Sequence, residues 1–255
     1  MDYLFVILVS LCIGSFLNVC IYRVPLENQN VAFPPSHCTN CDYELKWYDN
    51  IPVLSYIILG GKCRNCKQKI SIQYPMIELF NCIVCTLIYM KYGMEIETLK
   101  YMFLTSLMIV IGMIDFKTQY VYFSTIVTGL LMGIGFFVYD WISIGEIPMD
   151  NVYGLLVGVG VIGLIFAITL GGGMGFGDVE IAAVAGLFLG FKATIFNIFF
   201  AFIVGGIVAA ITLIVKKKKG GEAIAFGPYL AIGCLFSIFF GNTIINMYIN
   251  NFLQL

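Results

Sequence analysis

The sequence predicts an all-α polytopic membrane protein of about eight transmembrane helices, with a small cysteine-bearing loop domain between helices 1 and 2. Three observations predict it. The 255 residues are 60% hydrophobic and only 11% charged, where a soluble domain carries about 25% charged residues. Apolar runs of spanning length recur from one end of the chain to the other. The basic residues fall almost entirely into alternate loops. Such a composition excludes a soluble enzyme, a disordered chain and a basic nucleic-acid binder, and no nucleic-acid partner is expected; the lipid bilayer is.

The runs lie at roughly 3–24, 75–92, 98–115, 121–141, 151–170, 179–191, 193–215 and 226–249. A bilayer core asks for about 17–25 residues per helix, and the run opening at Asp178 is the shortest. The first run has no basic residue ahead of it and no small-residue cleavage pattern, so it is expected to be a retained helix rather than a signal peptide. With the N-terminus outside, 11 of the 14 Lys and Arg residues fall on the inner side, among them Arg23, Lys62, Arg64, Lys117 and the run Lys216–Lys219. Only Lys91, Lys100 and Lys192 fall outside, and the positive-inside rule selects this orientation. The Lys216–Lys219 run is read as an anchor drawn to anionic lipid.

This divides the chain into a first transmembrane helix (1–24), a cytoplasmic loop (25–74) and a membrane core (75–255). No internal repeat is visible. A loop of some fifty residues seldom builds a sufficient core alone and usually needs a staple. One is at hand. Cys38-Thr-Asn-Cys41 is followed, after 21 intervening residues, by Cys63-Arg-Asn-Cys66, and two CxxC knuckles at that separation fit a tetrahedral thiolate zinc site. Two disulfides or four idle thiols are the alternatives, the first weakened by a reducing cytosol. Lys62, Arg64, Lys67 and Lys69 would offset the charge of a tetrathiolate. His37 adjoins Cys38 but four sulfurs leave it a bystander. Cys12, Cys20, Cys82, Cys85 and Cys234 lie in apolar runs, where a cysteine behaves as a small buried hydrophobe.

Two acidic residues stand at span ends. Asp115 closes the third run, and Asp178 follows Gly171-Gly172-Gly173-Met174-Gly175-Phe176-Gly177, five glycines in seven residues. Both fall on the inner edge. Either has a plain structural account: Asp178 as a helix N-cap, Asp115 as a marker of the water interface. The glycines let a backbone approach closely, at an entropic cost that wants a reason. They do not make a phosphate cradle, since the Lys-[Ser/Thr] of a Walker loop is absent. If the two carboxylates meet, they cannot both ionise and share one proton. One then deprotonates a water while the other donates to a peptide carbonyl oxygen, which is aspartic peptide hydrolysis without a metal. A transporter with two proton-coupled aspartates is the rival class, but transporter sites lie near the midplane of repeated halves. A non-enzymatic assembly subunit is another, and would tolerate Asn at both positions.

These residues resemble a known family. Gly14-Ser15-Phe16-Leu17-Asn18-Val19 with Tyr22-Arg23-Val24-Pro25, the tetrad enclosing Asp49-Asn50-Ile51-Pro52-Val53-Leu54-Ser55-Tyr56, Tyr74-Pro75 with Glu78, Ile114-Asp115, Gly175-Phe176-Gly177-Asp178 and Ala225-Phe226-Gly227-Pro228-Tyr229 are similar to the motifs of the type IV prepilin leader peptidases/N-methyltransferases, bacterial GxGD membrane aspartyl proteases. The resemblance covers nearly the whole chain. It implies Asp115 and Asp178 as the catalytic pair, a structural zinc on Cys38, Cys41, Cys63 and Cys66, and prepilin or pseudopilin substrates. It further implies removal of a short basic leader at the cytoplasmic face of the bacterial inner membrane, then methylation of the new amino terminus with S-adenosylmethionine. No residue is assigned to the methyl donor. Asn18, Arg23 and Glu78, at the inner edges of their helices, either face that site or serve packing and anchoring. Two departures stand out: Tyr120-Val121-Tyr122-Phe123 lacks the third carboxylate often found after Asp115, and Glu180 replaces the usual lysine after Gly-Asp-Val.

Overall fold

The computed structural model describes residues 2–26, 30, 31, 33, 35–216 and 225–253; Lys217, Lys218 and Lys219 of the basic run lie outside them. Among these residues there are helices and two isolated bridges but no strand. The helices are α1 (Asp2–Arg23), α2 (Leu54–Ile58), α3 (Gln73–Tyr92), α4 (Ile96–Thr118), α5 (Phe123–Ile144), α6 (Met149–Thr169), α7 (Phe176–Leu189), α8 (Phe191–Lys216), α9 (Gly227–Phe236) and α10 (Asn242–Tyr248). A π-helical stretch, Ser237–Gly241, joins the last two.

The ends follow ordinary local rules. In α1, Asp2 sits in the first turn and Arg23 in the last, each opposing the helix dipole. Pro75 is tolerated in the first turn of α3. Gly145 ends α5 in the left-handed conformation at φ 81°. Gly190, at φ 77°, parts α7 from α8, so two apolar runs separated by a single residue become two helices.

Among the described residues six helices are long and apolar enough to cross a membrane: α1, α4, α5, α6, α8 over Phe191–Thr212, and the continuous segment Gly227–Asn251. The other two of the eight expected runs are helical as well. α3 carries Glu78 and Asn81 in its interior, and α7 has only 14 residues, about 21 Å at 1.5 Å per residue. The molecule is therefore a multi-pass, all-helical membrane protein with six candidate spans.

Two compact units divide it, Met1–Val110 and Ile111–Leu255. In the first, α1 and α3 cross so closely that a Cβ on Gly14 would lie 2.7 Å from Glu78 Cα. Polar pairs fasten the crossing: Asn81 Nδ2 donates to the Ser10 carbonyl at 2.8 Å and Ser106 Oγ donates to Asn81 Oδ1 at 3.0 Å. Buried interhelical hydrogen bonds of this kind hold helices together where lipid offers no hydrophobic drive. In the second unit, α6 and α7 meet through glycine. A Cβ on Gly154 would collide with the Gly186 carbonyl, and one on Gly158 with that of Ala182. Asn151 Nδ2 adds a 2.7 Å bond to the Leu187 carbonyl.

Candidate active site and metal centre

In the second unit, Asp115 projects from the last turns of α4 and Asp178 from the first turn of α7, and both are buried. Each is held by a backbone N–H at a helix N-terminus. The Gly227 N–H, opening α9, donates to Asp115 Oδ2 at 2.9 Å, and the Gly175 N–H donates to Asp178 Oδ2 at 3.0 Å. Asp115 Oδ2 and Ile181, about one turn on from Asp178 along α7, both lie against Gly227, so the two acids share one corner of the unit. One oxygen on each is thus fixed, and no hydrogen bond from a described residue claims Oδ1 of either.

The glycines of these segments have separate reasons. Gly175, not Asp178, is the N-cap of α7; Asp178 is the third residue of the helix and reaches back to the cap. Gly177 lies against the Val121 side chain, which a Cβ would strike, and a Cβ on Gly227 would press on Asp115 Oδ2 and Ile181. Within the run only Gly171 takes a positive φ, 76°. Close packing around the acids, more than backbone freedom, accounts for Gly177. Glu180 is half-buried on α7, two residues beyond Asp178.

In the first unit, the four tetrad sulfurs lie within 4.8 Å of one another, and all nine cysteines are free thiols. The two knuckles repeat one eight-residue hairpin. Cys38 N–H donates to the Tyr43 carbonyl and Asp42 N–H to the Cys38 carbonyl; Cys63 N–H donates to the Gln68 carbonyl and Lys67 N–H to that of Cys63. The residue after each second cysteine, Asp42 or Lys67, takes a positive φ of 51° or 61°. The bridges His37–Glu44 and Lys62–Lys69 close them in the same register. Each knuckle's Asn reaches the other's second sulfur, Asn40 Nδ2 to Cys66 Sγ at 3.7 Å and Asn65 Nδ2 to Cys41 Sγ at 3.8 Å. The Gln68 backbone N–H pulls the Cys66 thiol down to about 6, so a thiolate is available at neutral pH. Such a cluster is suited to holding a metal ion. The His37 ring instead faces the Pro35 carbonyl, with Nδ1 at 3.1 Å.

Arg64 couples the second knuckle to Asp49 through Nε and a terminal nitrogen, both on Oδ1, at 2.8 and 2.7 Å. Glu78 Oε2 accepts the Val53 N–H at 2.7 Å, joining the loop to α3. Arg23 donates to the carbonyls of Asn30, Val31 and Pro35, and Asn18 Nδ2 to those of Gly14 and Tyr74. The three polar residues at the helix ends therefore all bind the loop or its flanks. Within α3, Cys82 Sγ donates to the Ile7 carbonyl and Cys85 Sγ to Asn81 Oδ1, the part of buried small side chains.

Sequence reasoning missed Val121 and the backbone of Gly227 as parts of the acidic site, and the Asp49–Arg64 pair of the loop. Asp49 and Arg64 gave no signal, being one charge each in a loop with many. Gly227 had one: a Gly-Pro dipeptide opening an apolar run marks a helix N-terminus, and such an end seeks an anion.

Two family models match the chain: the bacterial peptidase A24 N-terminal domain over residues 8–92 and the type IV leader peptidase family over residues 102–210. Relatives named prepilin leader peptidase/N-methyltransferase match over most of its length. The protein of Neisseria gonorrhoeae is 34% identical over 88% of this chain and 85% of its own. That of Pseudomonas putida is 29% identical over 92% and 89%, and that of Pseudomonas aeruginosa 29% over 95% and 92%. No solved structure matches.

Proposed function

The chain belongs to the type IV leader peptidase family, and we propose from this that it removes the leader from prepilin-like proteins and then methylates the amino terminus it exposes. The observation that carries the first step is the pair of buried carboxylates on α4 and α7, each tethered at Oδ2 and open at Oδ1. Asp115 and Asp178 are the proposed catalytic residues. With one proton between them, the ionised carboxylate takes a proton from water as its oxygen attacks the scissile carbonyl. The protonated partner gives its proton to the carbonyl oxygen. The C–N bond then breaks, with a proton passed to the leaving amine. Tethering by Gly227 and Gly175 spares reorganisation during these steps.

For the membrane arrangement we infer that α3 and α7 join the six longer helices as passes, with the N-terminus outside. The 11-to-3 division of basic residues supports it. Both carboxylates and the knuckle loop then face the cytoplasm.

Cys38, Cys41, Cys63 and Cys66 would hold a structural zinc. The fit is metric: bonds of about 2.3 Å in a tetrahedron put sulfurs about 3.8 Å apart, and Cys38 Sγ and Cys66 Sγ lie 3.8 Å apart. Bound there, zinc would add folding energy to a loop too small for its own core. S-adenosylmethionine supplies an electrophilic methyl group on a sulfonium; the protein's part is to bind it and to take up the proton the amine releases as its nitrogen gains the methyl.

Mass analysis of a prepilin peptide incubated with the membrane protein and S-adenosylmethionine separates the steps. Loss of the leader mass is expected, then a gain of one methyl. Intact peptide after incubation with active preparations would refute the first step, and cleaved but unmethylated product the second.

A further inference from the structure

The short helix α2 has two unlike faces. Ser55 and Tyr56 turn toward the interior of the first unit, where the Tyr56 hydroxyl donates to the Ile70 carbonyl at 3.5 Å. Leu54, Ile57 and Ile58, at i, i+3 and i+4, share the other face and are 50%, 67% and 71% exposed. Among the described residues nothing covers these three aliphatic side chains. An apolar patch of this kind on a loop marks a docking face, and its occupant follows from depth and from charge.

Depth comes from α3. Its 20 residues, Gln73–Tyr92, extend about 30 Å, the thickness of a hydrocarbon core, so Gln73 stands at the inner edge of that core. Glu78 lies five residues, about 7.5 Å, further in, and its side chain leans back toward the edge because helix side chains tilt to the N-terminus. It accepts the N–H of Val53, the residue that caps α2, at 2.7 Å. The level of Glu78 on α1 is Gly14, nine residues and about 13 Å short of Arg23, so the loop folds back below the end of α1. The start of α2 therefore lies near the hydrocarbon edge, within a headgroup layer about 5–7 Å thick. Charge agrees. The Gly61 N–H closes α2 on the Tyr56 carbonyl, and the Ile70 N–H bonds the Gly61 carbonyl. This brings the bridged and exposed pair Lys62 and Lys69 beside the helix. Ammonium groups next to an aliphatic face suit an anionic leaflet, phosphate on one side and acyl chain on the other.

We propose that Leu54, Ile57 and Ile58 bed in the anionic cytoplasmic leaflet at the boundary of headgroups and acyl chains, with Lys62 and Lys69 on lipid phosphates. The knuckle loop is then seated on the bilayer by one face instead of hanging from two helix ends. The proposal rests on the inferred crossing of α3 and adds a lipid contact outside the spans.

Fluorescence quenching tests it on the full chain in vesicles containing phosphatidylglycerol. The chain has two tryptophans, Trp47 and Trp141; in a Trp47→Phe, Trp141→Phe background, Ile57→Trp reports from α2 alone and Ile83→Trp from the middle of α3. Phospholipid brominated near the top of its acyl chains should quench emission from position 57, and aqueous acrylamide should not. Lipid quenching at 83 but not at 57 would overturn the seating and leave the crossing of α3 intact; its absence at both would overturn both. Emission at 57 shielded from both quenchers would mean that a protein, such as a second copy of the chain, covers the face, and would equally overturn the proposal. The unaltered chain supplies a second readout that needs no variant to fold. A phospholipid with a photoreactive group next to its headgroup should label residues 47–64, and a chain labelled only elsewhere refutes the contact. Lys62→Glu with Lys69→Glu should cut that label roughly ten-fold, from the attraction of two basic residues to an anionic surface; undiminished label would remove the lysines from the site.

Discussion

The two units hold polar chemistry beside a membrane with a different balance of means. Each has a glycine-tight crossing, at Gly14 and at Gly154, and a buried Asn bond, but the weight shifts from one to the other. In the first, polar groups do the fastening. Asn81 bridges Ser10 and Ser106, Glu78 holds the Val53 backbone, Arg64 clasps Asp49, and four thiols gather within 4.8 Å. In the second, small size does it. Gly154 and Gly186 bring α6 and α7 into backbone contact, and Gly177 admits Val121. A loop that must stand in water can satisfy side chains with one another or with a metal. Helices in lipid gain from close contact and leave few polar side chains to spare. The consequence is a division of labour. Where packing is glycine-tight, the buried carboxylates are held by backbone alone, and Oδ1 of each is open for chemistry.

Breaking that division should hurt most at the acids. Asp115→Asn or Asp178→Asn should lower leader removal by about 10²–10⁴-fold or more, the worth of an acid or base, while the protein still inserts and binds as much zinc as the parent. Retained cleavage in both variants, read by product mass, would end the aspartyl mechanism. Next comes the knuckle. About one zinc per chain is expected after purification without added metal, and Cys63→Ser should lose it. A structural zinc carries about 10–16 kcal/mol of apparent binding energy in small domains, so its loss should open residues 35–72 to limited proteolysis while the helices of the second unit stay protected. Equal protection of both regions would show that the loop stands without metal.

The converse variant is Gly154→Leu, which forces side-chain volume between α6 and α7. Overpacking costs about 1–3 kcal/mol, and more where backbone must part, so thermal stability should fall with zinc content unchanged. A loss of zinc instead would mean the units do not hold their structure independently.

How far the sequence disclosed this differs between the units for a physical reason. The tetrad was legible because CxxC spacing is a covalent fact of the chain, and its four members do converge. That the knuckles are one hairpin used twice was not, since Cys-x-Asn-Cys is all that HCTNCDYE and KCRNCKQK share and the likeness lies in φ angles and bridges. Helical runs were legible from apolar length, and the family resemblance from motifs is borne out by the relatives. The tethers were hidden: Gly227 lies 112 residues from Asp115, and backbone N–H groups have no sequence signature. The plain structural alternative for Asp178, a helix N-cap, lies one turn off: it is the third residue of the helix, with its carboxylate beside Gly175. The uncovered face of α2 was equally invisible, because a lack of covering belongs to the folded surroundings rather than to the residue.

The smallest expected effect falls on Glu180, where the resemblance leads one to expect lysine. The residue is half-buried on α7, two positions beyond Asp178 and so about 200° round the helix from it. Glu180→Lys exchanges a negative for a positive charge, which favours the ionised form of the neighbouring pair. The acidic limb of the cleavage–pH profile should therefore move to lower pH, by a fraction of a unit if water screens the site and more if lipid does. Cleavage itself should persist, because Glu180 accepts no hydrogen bond from Gly175 or Gly227. A profile that does not move would mean that solvent reaches α7 at this turn, and that the second unit screens its acids far better than its packing implies.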